Sequence, residues 1–143
     1  MSARHDRRHI AHFEVAGGTA HIIWRLHRRQ CPMSGEARSE VLEVIRNDDG
    51  VRCRVDAAVV MDDHVHVLAT FAHRVPSAKL VHGWKSISSH RLCKLARSAP
   101  LWQAEYYLRW LADPVAVAAC TAYIRANPAR RWPGVVSYPW LLP

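Results

Sequence analysis

The chain has 143 residues, half of them apolar, with 20 Lys and Arg against 12 Asp and Glu, a formal charge of +8. That size and apolar content exclude an intrinsically disordered chain and suit one domain, 1–143, around a single core. No apolar run is long enough to cross a bilayer, and the opening MSARHDRRHIAHFEV lacks the apolar stretch of a signal peptide. The expectation is a cytoplasmic protein without a membrane partner.

TAHIIWRLHRR (19–29) is rich in β-branched and aromatic residues after the glycine pair Gly17-Gly18, and is predicted as a strand. SGEARSEVLEVIRND (34–48) is predicted as a helix, with Ser34 as N-cap and an apolar stripe of Val41, Leu42, Val44 and Ile45. VRCRVDAAVVM (51–61) alternates early and turns wholly apolar later, as a strand does when both faces are covered. Asp62-Asp63 can make a hairpin turn, with HVHVLATF (64–71) returning as the partner strand.

SAKLVHGWKSISSHRLCKLAR (77–97) is predicted as a second helix, with Gly83 as a weak point, whereas LWQAEYYLRWL (101–111) suits either a short strand or a loop with aromatic anchors. DPVAVAACTAYIRAN (113–127) is predicted as a helix that Asp113 caps, Pro114 opens and Asn127-Pro128 ends. The order implies an α+β fold with helices packed on an antiparallel β-sheet.

Charge is segregated along the chain. Residues 34–63 hold eight acids against four bases, whereas residues 64–104 hold no acid and six bases, namely Arg74, Lys79, Lys85, Arg91, Lys94 and Arg97. Further arginines cluster near the start (Arg4, Arg7, Arg8, Arg25, Arg28, Arg29) and near the end (Arg125, Arg130, Arg131). Such a pattern favours a polyanionic partner, although a solvated basic surface would look the same. Cys31, Cys53, Cys93 and Cys120 form no CxxC pair, which argues against a zinc ribbon or a thiol redox site and suits reduced, packed thiols.

In a chain with ten histidines one His-x-His triplet is a weak signal by itself. On a strand, however, His64 and His66 face the same way, about 7 Å apart, and can converge on one cation while leaving coordination positions open. On the last helix Ala119, Tyr123 and Asn127 recur every four residues, placing a phenol and a carboxamide side by side. A phenol near a divalent cation can act as a nucleophile toward phosphate, and the carboxamide oxygen can be a third, neutral ligand. Each has a plain alternative: packed strand histidines, a core tyrosine with a surface hydroxyl, a helix-terminal asparagine. Tyr106, Tyr107 and Tyr138 are the rival nucleophiles, but Trp110, Leu111 and Leu142 stand four positions beyond them, none of ligand type.

VMDDHVHVL (60–68) resembles the HUH (His-hydrophobe-His) motif of the single-tyrosine transposases, and YIRANPAR (123–130) is similar to the segment that carries the nucleophile in the REP-associated and insertion-sequence-200-like branch. Between them LWQAEYYLRWL resembles the Trp-Gln-x-x-Tyr-Tyr stretch of that branch. The resemblance covers roughly residues 15–135, in matching order. It implies a ferredoxin-like HUH endonuclease fold and cleavage of single-stranded DNA beside hairpins with Mg²⁺ or Mn²⁺. It further implies His64, His66 and Asn127 as metal ligands, and Tyr123 as the nucleophile that forms a 5′-phosphotyrosine. The family usually has Pro-Asn or Pro-Glu before the first histidine, where this chain has Asp62-Asp63. Those acids could tighten metal binding, repel phosphate or simply make the turn.

A single-stranded or hairpin substrate calls for phosphate contacts and aromatic platforms. The expected contributors are Lys85, His90, Arg91, Lys94 and Arg97 of the second helix, Gln103, and Arg125 and Arg130 of the last. The working form would be a monomer or homodimer. The competing reading is a protein of the same fold that holds hairpin nucleic acid without cutting it.

Overall fold

The structure is a computed structural model that describes residues 13–93 and 100–142. Among these, the elements run β1 (Thr19–Leu26), α1 (Gly35–Arg46), β2 (Cys53–Val60), β3 (His64–Phe71), α2 (Ser77–Cys93), β4 (Trp102–Trp110), α3 (Pro114–Arg131) and β5 (Leu141–Leu142). The five strands form one sheet in the order β4-β1-β3-β2-β5, every neighbouring pair antiparallel. The α+β class expected from the element order is the one observed. No helix among the described residues is long and apolar enough to cross a membrane.

The helix starts follow local chemistry. Ser34 accepts the Ala37 amide hydrogen bond at 3.2 Å, and Asp113 accepts that of Val115 at 2.9 Å, each satisfying a donor the first turn leaves open. Helix α2 runs through Gly83, around which a Cβ would meet nothing within 4 Å. Gly83→Ala is therefore expected to stabilise the protein by about 0.5–1 kcal/mol, since alanine loses less backbone entropy in a helix. A higher urea midpoint checks this, and a lower one contradicts it.

The sheet separates two apolar layers. Ala20, Ile22 and Trp24 of β1, with Val65, Val67, Ala69 and Phe71 of β3, face α1 and α2. On this side Trp24 stacks on Trp84, whose Nε1 donates to Asp48 Oδ2 at 2.8 Å. The opposite face packs Ala57, Val59, Met61 and Leu68 under Cys120 and Ile124 of α3. A register shift between Val55 and Ala57 changes which β2 residues point to which layer. Because both faces are covered beyond that bulge, the end of β2 is wholly apolar.

Several ends fall short of the sequence expectation, β1 stopping at Leu26 and α1 at Arg46, and two segments have a specific physical reason. The segment 101–111, open to strand or loop by sequence, is an edge strand over Trp102–Trp110, paired to β1 from Leu26↔Trp102 to Ala20↔Trp110 with a register shift between Trp24 and Leu26. Helix α3 does not stop at Asn127-Pro128 but continues to Arg131, with the Trp132 amide donating to the Pro128 carbonyl at 2.8 Å. A proline lacks the N–H of one helical bond, but it does not break the next turn if the helix end is anchored elsewhere. Here Arg131 is held by Asp62 at 2.9 Å.

Candidate active site

On the α3 side of the sheet His64 and His66 project from β3, as their alternation with Val65 and Val67 requires. Helix α3 crosses this face, seated by Cys120 and Ile124, with Tyr123 against His66 and Asn127 one turn further along the helix. The Tyr123 ring lies edge-on to His66 with centroids 5.7 Å apart, and the His64 and His66 centroids are 4.9 Å apart. Residues some sixty positions apart in the chain thus share one small volume. Tyr123 is 45% exposed, accessible to a substrate, whereas His66 is 3% exposed and Asn127 8%.

The polar atoms of this volume are oriented. Asn127 Nδ2 donates to the Tyr123 carbonyl at 3.3 Å, which commits the amide nitrogen and leaves Oδ1 as the ligand-type atom. His64 Nδ1 is 2.7 Å from Asp63 Oδ1. His66 Nδ1 is 2.9 Å from Nε2 of His21, a third imidazole that sequence reasoning did not single out. His21 comes from β1, where Leu68 is its partner across the strands and Ile23 is that of His66.

The acids of the turn have defined partners. Asp62 pairs with Arg131 at 2.9 Å, while Asp63 receives His64 and lies 3.7 Å from Arg131. Burial works against the Asp63 carboxylate, but the His64 hydrogen bond and the charges of His64, Arg131 and Arg25 outweigh it and lower its pKa. Arg131 therefore ties the β2–β3 turn to the end of α3, fixing the helix that carries Tyr123 relative to the strand that carries the histidines.

Arginines rim the site. Arg130 lies over the Tyr123 ring at 4.5 Å, Arg25 stands across from His64 and Arg109 across from His21. Burial, aided by Arg109, lowers His21 to about 4. Burial, then the charges of His64, His21, Arg25 and Arg130, lowers His66 to about 3. Both values lie below the ordinary 6.5, so on acidification the unfolded chain takes up these protons before the folded one does. Their contribution to stability is complete above about pH 6.5 and is lost as pH falls toward 4, on the order of 2–4 kcal/mol for the pair between pH 7 and 5. Ring-proton shifts followed against pH check this, and titration of either ring near 6.5 contradicts it.

Beside Asp63 a cleft of about 380 Å³ opens, lined by Arg25, His27, Arg28, Gln30 and Gln103 among others. Gln103 also donates to the Leu26 carbonyl at 3.2 Å. Of the other residues expected to contact nucleic acid, Arg125 is exposed on α3 and His90 on α2. Helix α2 lies on the far side of the sheet from the histidines. There Lys85 Nζ donates to the Gln103 and Ala104 carbonyls at 2.8 and 3.2 Å, and Arg91 faces Glu40 and Glu43 of α1 at 3.7 and 3.5 Å. Lys94 and Arg97 lie outside the described residues.

The rival tyrosines are placed differently. Burial pushes Tyr106 up to about 12, and Lys85 lies 5.7 Å from its ring on the α2 side. Tyr138 donates to the Val60 carbonyl at 2.6 Å. Tyr107 is 46% exposed and edge-on to His21, with centroids 6.1 Å apart, but has no carboxamide beside it on a helix.

The pattern of the chain from residue 14 to residue 127 matches the family model for IS200-like transposases, which spans the strand histidines, the β4 aromatics, Tyr123 and Asn127. The chain belongs to the IS200-like transposase family. Solved structures agree on the fold of this transposase. A REP-associated tyrosine transposase determined with a REP hairpin bound superposes with a TM-score of 0.71 at 19% identity, over 90% of this chain and 78% of its own. A protein of Deinococcus radiodurans R1 assigned as a transposase gives 0.55 at 21% identity, over 80% and 93%. No curated protein sequence matches the transposase.

Two imidazoles and a carboxamide suit a divalent cation with open positions rather than a closed structural site. Among the described residues no three His, Cys, Asp or Glu side chains converge as a metal cluster, so a third ligand would have to be of another type, as the Asn127 carboxamide is.

Proposed function

We propose that this transposase is a metal-dependent endonuclease and strand transferase that cuts single-stranded DNA beside a hairpin through a 5′-phosphotyrosine. The observation that carries this reading is the approach of the Tyr123 ring to His66, with Asn127 one helical turn on. His64, His66 and Asn127 would hold Mg²⁺ or Mn²⁺, which when bound supplies Lewis-acid stabilisation of the phosphate and the leaving oxygen. The hairpin as substrate is carried over from the REP-associated relative, whose structure contains one.

Tyr123 Oη attacks the scissile phosphorus, and the bond to the 3′-oxygen breaks. The phenolic proton passes to solvent and the leaving 3′-oxygen takes one up, so the fragment downstream of the cut stays on Tyr123 through its 5′-phosphate and the upstream fragment ends in a free 3′-hydroxyl. Attack of a 3′-hydroxyl on the phosphotyrosine reverses the bond changes and releases Tyr123, so strands rejoin without ATP. Arg130, over the Tyr123 ring, would draw in the phosphate. Arg25 and Arg109 extend the positive rim along β1 and β4, where the exposed Tyr107 offers a face for an unpaired base.

The pairing of Asp62 with Arg131, and of Asp63 with His64 and Arg131, favours cleavage over a binding-only role, because the acids that could repel phosphate are offset. The test incubates a 3′-end-labelled hairpin oligonucleotide with the protein and Mn²⁺, followed by denaturing electrophoresis. Label travelling with the protein is the expected result. A gel shift under native conditions without any denaturation-resistant adduct would favour the binding-only protein.

A further inference from the structure

His21 and His66 are both buried, at 7% and 3% exposure, and the 2.9 Å contact between His21 Nε2 and His66 Nδ1 needs one proton between two nitrogens. Two arrangements satisfy it. If His21 donates, the proton of a neutral His66 sits on Nε2 and that nitrogen has no lone pair for a cation. If His66 Nδ1 donates, its Nε2 is bare. Next to it the choice is already made, because the Asp63 carboxylate 2.7 Å from His64 Nδ1 can only accept. A neutral His64 therefore carries its proton on Nδ1 and leaves Nε2 open.

We propose that His21 is a positioning residue for the metal site, accepting from His66 Nδ1–H as Asp63 accepts from His64, so that both imidazoles present Nε2 to one divalent cation. The proposal rests on the metal reading above and adds the device that makes the two rings equivalent. Ligating histidines commonly give their second nitrogen to a hydrogen-bond acceptor, which fixes the tautomer and the ring direction. Here the acceptors differ, an ionised carboxylate for the more accessible ring and a neutral imidazole for the buried one. A second carboxylate at position 21 would place an additional negative charge where water cannot screen it. The same contact locks β1 to β3 on the site face, with the two ring planes 15° apart and their centroids at 5.2 Å. A histidine present only for packing would do its work equally well in either tautomer.

Two-bond proton–nitrogen correlation spectra of the ¹⁵N-labelled, metal-free protein read the tautomer directly. The expected result is Nδ1–H at both His64 and His66; Nε2–H at His66 would overturn the proposal. Mn²⁺ binding, followed by electron paramagnetic resonance without DNA, supplies the second readout. His21→Leu is expected to weaken Mn²⁺ binding by about 10–100-fold, while His21→Gln, which keeps an acceptor, restores most of it. Equal affinity in wild type and both variants would overturn the role, and should His21→Leu fail to fold, the wild-type spectrum decides alone. Lack of Mn²⁺ uptake by the wild type would sink the metal reading itself, whereas the tautomer spectrum, recorded without metal, judges the His66 hydrogen bond separately.

Discussion

Tyr123→Phe is expected to eliminate the covalent DNA adduct and to lower cleavage at least about a thousandfold, because it removes the oxygen proposed to hold the strand. The ring stays, so its packing against His66 and under Arg130 should persist, and hairpin binding should change less than about threefold. The informative control is Tyr107→Phe. Tyr107 is as exposed as Tyr123 and lies at a similar distance from His21, with ring centroids 6.1 and 6.4 Å away. If Tyr107→Phe abolishes the adduct and Tyr123→Phe spares it, nucleophile and platform have been exchanged and the mechanism is wrong.

The second large effect is expected from His66. His66→Ala removes a proposed metal ligand and also leaves His21 without its buried partner. Cleavage should fall by roughly a hundredfold or more, while affinity for the hairpin, which is proposed to depend on the arginine rim, should hold within a few fold. Folding is checked by the unfolding midpoint, since a buried side chain is truncated. His64→Ala, at a more accessible position, gives the cleaner comparison. Cleavage unaltered in either variant would mean that the histidines hold no catalytic cation.

The histidine pair, the capped helices and the Tyr123-Asn127 spacing were legible because each follows from a short-range period. Alternation on β3 and the four-residue repeat on α3 settle which side chains share a face. What could not be read is what lies across from them. His21 sits in TAHIIWRL as one polar residue in an apolar strand, and only the β1–β3 register puts it against His66. The two acids before His64 likewise looked like a turn or an obstacle. Their partners, Arg131 and His64, include one that is far away in sequence.

The remaining differences have the same origin. β4 was ambiguous because the inward series Trp102, Tyr106, Leu108, Trp110 skips Ala104, which is exposed where the register against β1 shifts. Pro128 suggested a stop, yet the α3 terminus is clamped by Asp62 through Arg131, a contact no local rule supplies. The basic residues of α2 stood out by charge alone. Lys85 and Arg91, however, make contacts that join α2 to β4 and α1 on the face away from the histidines. A positive charge count identifies a partner class but not which cations remain available to it.

The central claim is tested most directly by finding the DNA-linked residue. Trypsin separates Tyr123 from the other three tyrosines, because residues 110–125 contain Tyr123 alone, residues 98–109 contain Tyr106 and Tyr107, and residues 132–143 contain Tyr138. Mass spectrometry of the adduct formed with a hairpin oligonucleotide and Mn²⁺, after nuclease trimming, should place a 5′-linked nucleotide on peptide 110–125. A nucleotide on either of the other two peptides would contradict the assignment of Tyr123 and, with it, the site built around His64, His66 and Asn127.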